Sequence, residues 1–90
     1  MTDLPIRLRR LREFVRCTQE NLAYELDMTQ SAYHKLETGK TQLDLHRAIQ
    51  LAMFYTITID DLLYKDLFEL YTHLLASTRF KELNAAVSNK

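Results

Sequence analysis

The sequence predicts an all-α protein, and three observations carry that expectation. Only one Gly and one Pro occur in 90 residues, too few turn formers for the repeated hairpins of a β-sandwich. Apolar residues recur at spacings of three and four through most of the chain, the period of a helix with one buried face. Thr, Asp and Gly stand at the breaks between these runs, where they cap helix ends. With 47% apolar residues, a chain of this length is expected to enclose one core as one folded unit.

Leu4, Leu8, Leu11 and Val15, with Ile6 and Phe14 beside them, mark the first helix. Pro5 falls in its first turn, where a missing N–H does no harm, and Thr2 or Asp3 can cap it. Thr18 is the N-cap of a second helix that turns Leu22, Ala23 and Leu26 inward. Asn21 stands where a capping box would have Glu or Gln. Asp27 and Met28 make the break, with Met28 as a buried plug. Thr29 caps a third helix with Tyr33 and Leu36 inward, and Gly39 ends it in the left-handed cap position. Asp44 caps a fourth helix that offers Leu45, Ala48, Ile49, Leu51, Ala52 and Tyr55 to a core. Thr58 and Asp61 form an acidic variant of the capping box and open a fifth helix carrying Leu62 and Leu63. Beyond Lys65 the chain reads as helix again, its apolar positions spread over more than one stripe, with a frayed end at Ser88–Lys90.

Several function classes lose support from composition. No apolar run is long enough to span a membrane, and the N-terminus lacks the apolar core of a signal peptide. Cys17 stands alone, so neither a disulfide framework nor a Cys-rich metal site is expected, and a reducing cytoplasm fits. His34, His46 and His73 lie on separate elements without His-x-x-x-His spacing, and no Gly-rich phosphate loop exists. Catalysis, a metal and a cofactor are therefore not expected. Net charge is zero but unevenly spread: residues 1–16 hold five Arg against two acids. That basic segment, RLRRLREFVR, reads either as a solvated face or as a phosphate-facing strip.

Residues 18–39, TQENLAYELDMTQSAYHKLETG, set two short helices around a tight break, the second led by small polar residues. That is the layout of a helix-turn-helix. Gln30 and Ser31 project from the first turn of the third helix, and His34 and Lys35 lie about one turn further along.

Residues 7–63 resemble the Cro/repressor-type (XRE-like) helix-turn-helix family of phage and bacterial regulators. The likeness lies in Leu-x-x-Leu-Arg of the first helix, Thr-Gln-x-x-Leu-Ala, Ser-x-Tyr-x-Lys-x-Glu-x-Gly-Lys and the closing Ile-Asp-Asp-Leu-Leu. The wording Gln-Ser-Ala-Tyr-x-Lys-x-Glu is similar to small members common in the Bacteroidetes. Two departures stand out: Asp27 replaces the family's Gly, at modest cost because Asp enters the left-handed region readily, and Leu43 replaces a frequent Pro. The resemblance implies a five-helix lambda-repressor-like DNA-binding domain over residues 4–64, with 65–90 as a C-terminal helical extension. It implies base contacts from Gln30, Ser31 and Lys35, to which geometry adds His34. Phosphate contacts are expected from Gln19, Thr29, Lys40, Thr41 and Gln42, with Arg16 and Arg9 as weaker candidates. Arg12 and Glu37 match a family pair that bridges the first and third helices, and Tyr33 falls where the family places an aliphatic core residue.

Double-stranded DNA is the implied partner, in a bacterial cytoplasm, with no membrane association. One such motif offers few base contacts, so a homodimer on an inverted repeat is expected, its recognition helices about 34 Å apart. Leu67, Leu70, Tyr71, Leu74, Leu75 and Phe80 are the dimerisation candidates; folding of this segment onto its own domain is the other possibility. Repression by promoter occlusion is expected, and activation by polymerase contact stays open. So do the roles of antitoxin, restriction controller and phage-type repressor. The rival class is a protein-interaction module, such as an antitoxin or partner-binding regulator, on the same scaffold.

Overall fold

The computed structural model describes residues 3–77, in which helices follow one another through short breaks. They are α1 (Leu4–Phe14), α2 (Gln19–Glu25), α3 (Gln30–Thr38), α4 (Leu45–Tyr55), α5 (Ile59–Tyr64) and α6 (Leu67–Ala76). No strand occurs among the described residues.

The starts of α2 to α6 are each set by a local polar side chain. The Thr18 hydroxyl accepts from the Asn21 N–H and that of Thr29 from Ala32, each at 3.0 Å. The Asp44 carboxylate accepts from Arg47 N–H at 2.8 Å, and the Thr58 hydroxyl from Asp61 at 3.0 Å. Each such cap contributes about 1 kcal/mol. Asp3 occupies the N-cap of α1 without a side-chain bond. Asp66, which the sequence reading passed over, caps α6 by accepting from Glu69 N–H. Four breaks enter the left-handed region, at Arg16 (φ +61°), Asp27, Gly39 and Thr56 (φ +54°). Gly39 has φ +80°, and a Cβ there would stand 3.4 Å from Pro5 Cγ, so the demand is mainly conformational. Asp27 has φ +56°, as its replacement of glycine implies.

The core is drawn from every helix. Leu8, Leu11 and Val15 of α1 and its end meet Leu22, Ala23 and Leu26, then Tyr33 and Leu36 of α3. Ala48, Leu51 and Tyr55 of α4, Leu62 of α5, and Leu70 and Leu74 of α6 complete it. Helix α1 packs against both α3 and α6, and α2 against α3. Three expectations change. Leu45 and Ile49 of α4 face solvent, because the neighbouring stripe of Ala48, Leu51, Ala52 and Tyr55 is the one the core covers. Met28 is only half-buried, packed against the edge of the core. Ser77 leaves the helix in an extended conformation, so α6 stops at Ala76, and Phe80 and Leu83 lie outside the described residues.

Helix α6 also alters the dimerisation candidates. Leu70 and Leu74 are completely buried in their own chain, Leu67 is partly buried, and Tyr71 stacks on Phe14 of α1 with ring centroids 4.3 Å apart. Surface spent on this packing cannot meet a second copy as well. Of those candidates within the described residues, Leu75 is the exposed one.

Three arginines tie the helices together from inside. Arg12 of α1 donates from Nε and Nη2 to the two Glu37 carboxylate oxygens of α3, at 2.6 and 3.1 Å, and from Nη1 to the Cys17 carbonyl at 2.9 Å. Arg7 donates to the carbonyls of Leu62 at 2.7 Å and Asp61 at 2.8 Å, and also to that of Lys65, closing the C-terminal end of α5. Arg47 donates to the Leu26 carbonyl at the end of α2, at 2.5 Å, with Gln50 beside it. Cations at helix C-termini complement both the orphan carbonyls and the helix dipole. Burial lowers the Arg7 pKa from its ordinary value, and Asp3 and Asp66 partly offset that. Burial alone would raise the Glu37 carboxyl, but hydrogen bonds from Arg12 and Gln19 hold it below its ordinary value. The Tyr33 hydroxyl faces this carboxylate but falls short of hydrogen-bond geometry, and burial pushes its pKa upward.

Two outcomes check this architecture. Leu70→Ala should lower unfolding stability in urea by about 2–5 kcal/mol. Phe68→Ala, on the exposed side of the same helix, should stay within about 0.5 kcal/mol of the parent. For Glu37, the folded pKa lies below the unfolded one, so its contribution is full above the unfolded carboxylate range near ~4. That contribution is lost as pH falls through the lower folded value. Glu37→Gln should therefore cost about 2–3 kcal/mol at neutral pH. On acidification its stability should fall less steeply than the parent's; parallel acid profiles would remove Glu37 from the linkage.

Candidate nucleic-acid interface

Helix α3 has one inward and one outward side. Tyr33, Leu36 and Glu37 are buried, while Gln30, Ser31, His34 and Lys35 are exposed. Its orientation is fixed from below by the Arg12–Glu37 bridge and by the packing of Tyr33 and Leu36. Its start is fixed by the Thr29 cap, which occupies that hydroxyl with the Ala32 N–H. Its end is fixed by Gly39, after which the Lys40 and Thr41 N–H groups both donate to the Lys35 carbonyl, at 2.9 and 3.2 Å. The loop 40–42 is thereby drawn back beside the helix.

A groove of about 370 Å³ runs between α3 and the start of α4. Thr29, Ser31 and Lys35 line it from α3's side, Thr41 and Gln42 from the loop, and Asp44 and Arg47 from α4. Five of the residues expected from sequence are thus brought together along one concave strip. Lys35 and Lys40 are exposed and have no counter-ion among the described residues, whereas Arg9 is engaged with Glu13 at 3.0 Å. Arg16 is exposed in the α1–α2 turn, outside the groove, with φ +61°.

Gln19 and His34 are linked to each other and to Glu37. The Gln19 amide nitrogen donates to Glu37 Oε1 at 3.0 Å, which turns its carbonyl oxygen toward His34 Nδ1, 3.3 Å away. A carbonyl only accepts, so His34 donates from Nδ1, and in the neutral ring Nε2 is then the acceptor. The outward face of α3 thereby carries a neutral-ring acceptor beside the donor Lys35 and the two-way groups Gln30 and Ser31. Such a mix can match adenine N6/N7, guanine O6/N7 and cytosine N4.

Arg47 was missed by sequence reasoning. It holds the end of α2 and lines the groove at once. A signal was present: Arg47 shares a helical stripe with Leu51 and Tyr55, as Arg7 does with Leu11 and Val15, so spacing alone directed both arginines inward.

Among the described residues, no His, Cys, Asp and Glu cluster could hold a metal ion, and no helix is long and apolar enough to cross a membrane. Searches among curated proteins and among solved structures returned no significant match. A family model described as a helix-turn-helix domain matches residues 3–63, which span α1 to α5 and all of the groove just described. The matched segment covers well over half of the sequence and ends within α5, ahead of α6: the chain belongs to the helix-turn-helix domain family.

Proposed function

We propose that this chain is a sequence-specific transcriptional regulator of the Cro/repressor type. It lays α3 in the DNA major groove and represses by occluding a promoter, acting as a homodimer on an inverted repeat in the bacterial cytoplasm. The observation that carries the reading is the outward row Gln30, Ser31, His34 and Lys35, four polar side chains of differing donor and acceptor character on one helix face. Gln30 and Lys35 are the bidentate or forked readers, Ser31 the adaptable one, and His34 an acceptor oriented through Gln19. Thr41 and Gln42, with Lys40 beside them, are assigned to the phosphates on one side of the groove, and Thr29 to those near the start of α3. Gln19 acts through His34 and Glu37 rather than on a phosphate directly, and Arg16 is a peripheral phosphate contact.

A second reading, an interaction module that binds another protein on this scaffold, draws on the zero net charge and on exposed apolar residues of α4. The two readings differ in salt dependence. Phosphate contacts release counterions, so affinity for duplex DNA should fall at least about tenfold between about 50 and about 200 mM salt. A salt-indifferent affinity would favour the protein partner.

Selection of bound sites from random duplex DNA should return a symmetric motif. On that motif, Gln30→Ala and Lys35→Ala should each reduce discrimination by about 1–3 kcal/mol while changing affinity for unrelated duplex much less. Equal loss on selected and unrelated DNA would deny these side chains a base-reading role.

A further inference from the structure

A chain of hydrogen bonds runs from a buried carboxylate to an exposed ring on the outward face of α3. The Glu37 side chain is 2% exposed and is gripped by Arg12 Nε and Nη2. A carboxylate so held only accepts, so the Gln19 amide nitrogen, 3.0 Å from Glu37 Oε1, is the donor. That fixes which end of the amide is which, and its oxygen meets His34 Nδ1 at 3.3 Å. Each link dictates the polarity of the next. His34 Nε2, at the end of the chain, makes no hydrogen bond among the described residues and is left for a ligand. His34 is exposed and stands one turn after Gln30 on the same stripe of α3.

We infer that Gln19 is a positioning residue that presents His34 Nε2 as an acceptor, so that α3 takes adenine or cytosine where this ring meets a base. The inference rests on the proposed DNA-binding reading and deepens it. In the major groove adenine N6 and cytosine N4 are donors, whereas guanine N7 and O6 and thymine O4 are acceptors. An acceptor at Nε2 therefore divides the four bases into two pairs. Lys35 only donates, and Gln30 and Ser31 both donate and accept. Among these outward side chains, His34 is the one whose character the fold itself decides.

Protonation gives the same geometry the opposite meaning. The Nδ1–H bond to Gln19 suits the neutral and the charged ring alike, so an added proton enters at Nε2 and turns an acceptor into a donor. Imidazoles change charge between about pH 8 and about pH 5. The charged groups around the ring are Lys35 and Glu37 of α3, Arg12 of α1 behind Glu37, and Glu20 of α2 next to Gln19 in sequence. Burial opposes the Glu37 charge, but hydrogen bonds from Arg12 and Gln19 outweigh it, so the carboxylate end of the chain persists across that window.

The test reads the ring and the DNA separately, on the full chain. Gln19 is half-buried and His34 exposed, so neither substitution below removes a core side chain. Long-range nitrogen–proton NMR, without DNA and at the alkaline end of the window, should find the His34 proton on Nδ1. Gln19→Lys keeps a donor for Glu37 but offers His34 no acceptor, and should move that proton to Nε2. A parent ring protonated on Nε2, or a tautomer that ignores Gln19→Lys, would overturn the inference. Duplexes selected by the parent from random DNA are then varied at the position whose preference His34→Ala abolishes. At alkaline pH the parent should favour adenine or cytosine there over guanine by about fivefold, the worth of one hydrogen bond. The ratio should shrink or reverse at the acidic end, and Gln19→Lys should reverse it at alkaline pH. Ratios are the readout because a positive charge gained at any histidine raises affinity for every duplex alike. No position altered by His34→Ala, or a ratio indifferent to pH, would also overturn the inference. A tautomer that follows Gln19→Lys in a chain binding no duplex would uphold the relay and sink the DNA reading instead.

Discussion

The Arg12–Glu37 bridge is the interaction on which the geometry of the outer surface depends. Helix α3 is short, and a nine-residue helix in isolation is marginal, so its orientation must come from what lies beneath it. Two apolar side chains, Tyr33 and Leu36, set its depth but resist rotation weakly. A carboxylate near the end of the helix, gripped by two guanidinium nitrogens of α1, adds a directional constraint. Both partners are largely withdrawn from water, with side-chain exposures of 12% and 2%, so loss of one strands the other. The same carboxylate receives Gln19, which orients His34. One buried charge thus aligns α1, α2 and α3 and dictates which ring nitrogen the outward histidine offers.

Most of the helical order was legible because it is written locally. Thr18, Thr29, Asp44, Thr58 and Gly39 each act within four residues of their own position, so their roles need no knowledge of the tertiary arrangement. The inward residues of α1 to α3 were legible for a related reason: each of these helices has one apolar stripe. Helix α4 has two, Leu45–Ile49–Met53 and Ala48–Leu51–Ala52–Tyr55. Periodicity says which residues share a face but not which face is covered. The same ambiguity affects α6, whose two stripes divide into buried Leu70 and Leu74 and exposed Phe68 and Leu75.

Charge was the least legible quantity. The N-terminal segment reads as a basic strip, yet, besides the Arg12–Glu37 pair that the resemblance implied, Arg7 points inward to carbonyls and Arg9 is matched with Glu13. A formal count treats every arginine as surface potential, while the fold uses several as internal ties between helix ends. Only the helical register of Arg7 with Leu11, and of Arg47 with Leu51, distinguishes the two uses in the sequence.

This internal use of arginine has a consequence for how DNA can be held. With Arg7, Arg12 and Arg47 committed inside, the cations flanking the groove are Lys35 and Lys40, and acids such as Asp44 stand close by. Nonspecific affinity, which comes almost wholly from phosphate neutralisation, must then be small for one copy. A regulator with weak nonspecific attraction spends less time on unrelated duplex, but it needs affinity from elsewhere to occupy its site. Base-edge contacts from one short helix supply a few kcal/mol at most. Doubling the recognition surface on a rigid symmetric frame raises affinity steeply without adding charge, because the second half-site is met at high effective concentration. On the proposed dimeric reading, a neutral chain would then gain its selectivity by pairing two modest contacts rather than by strengthening a single electrostatic one.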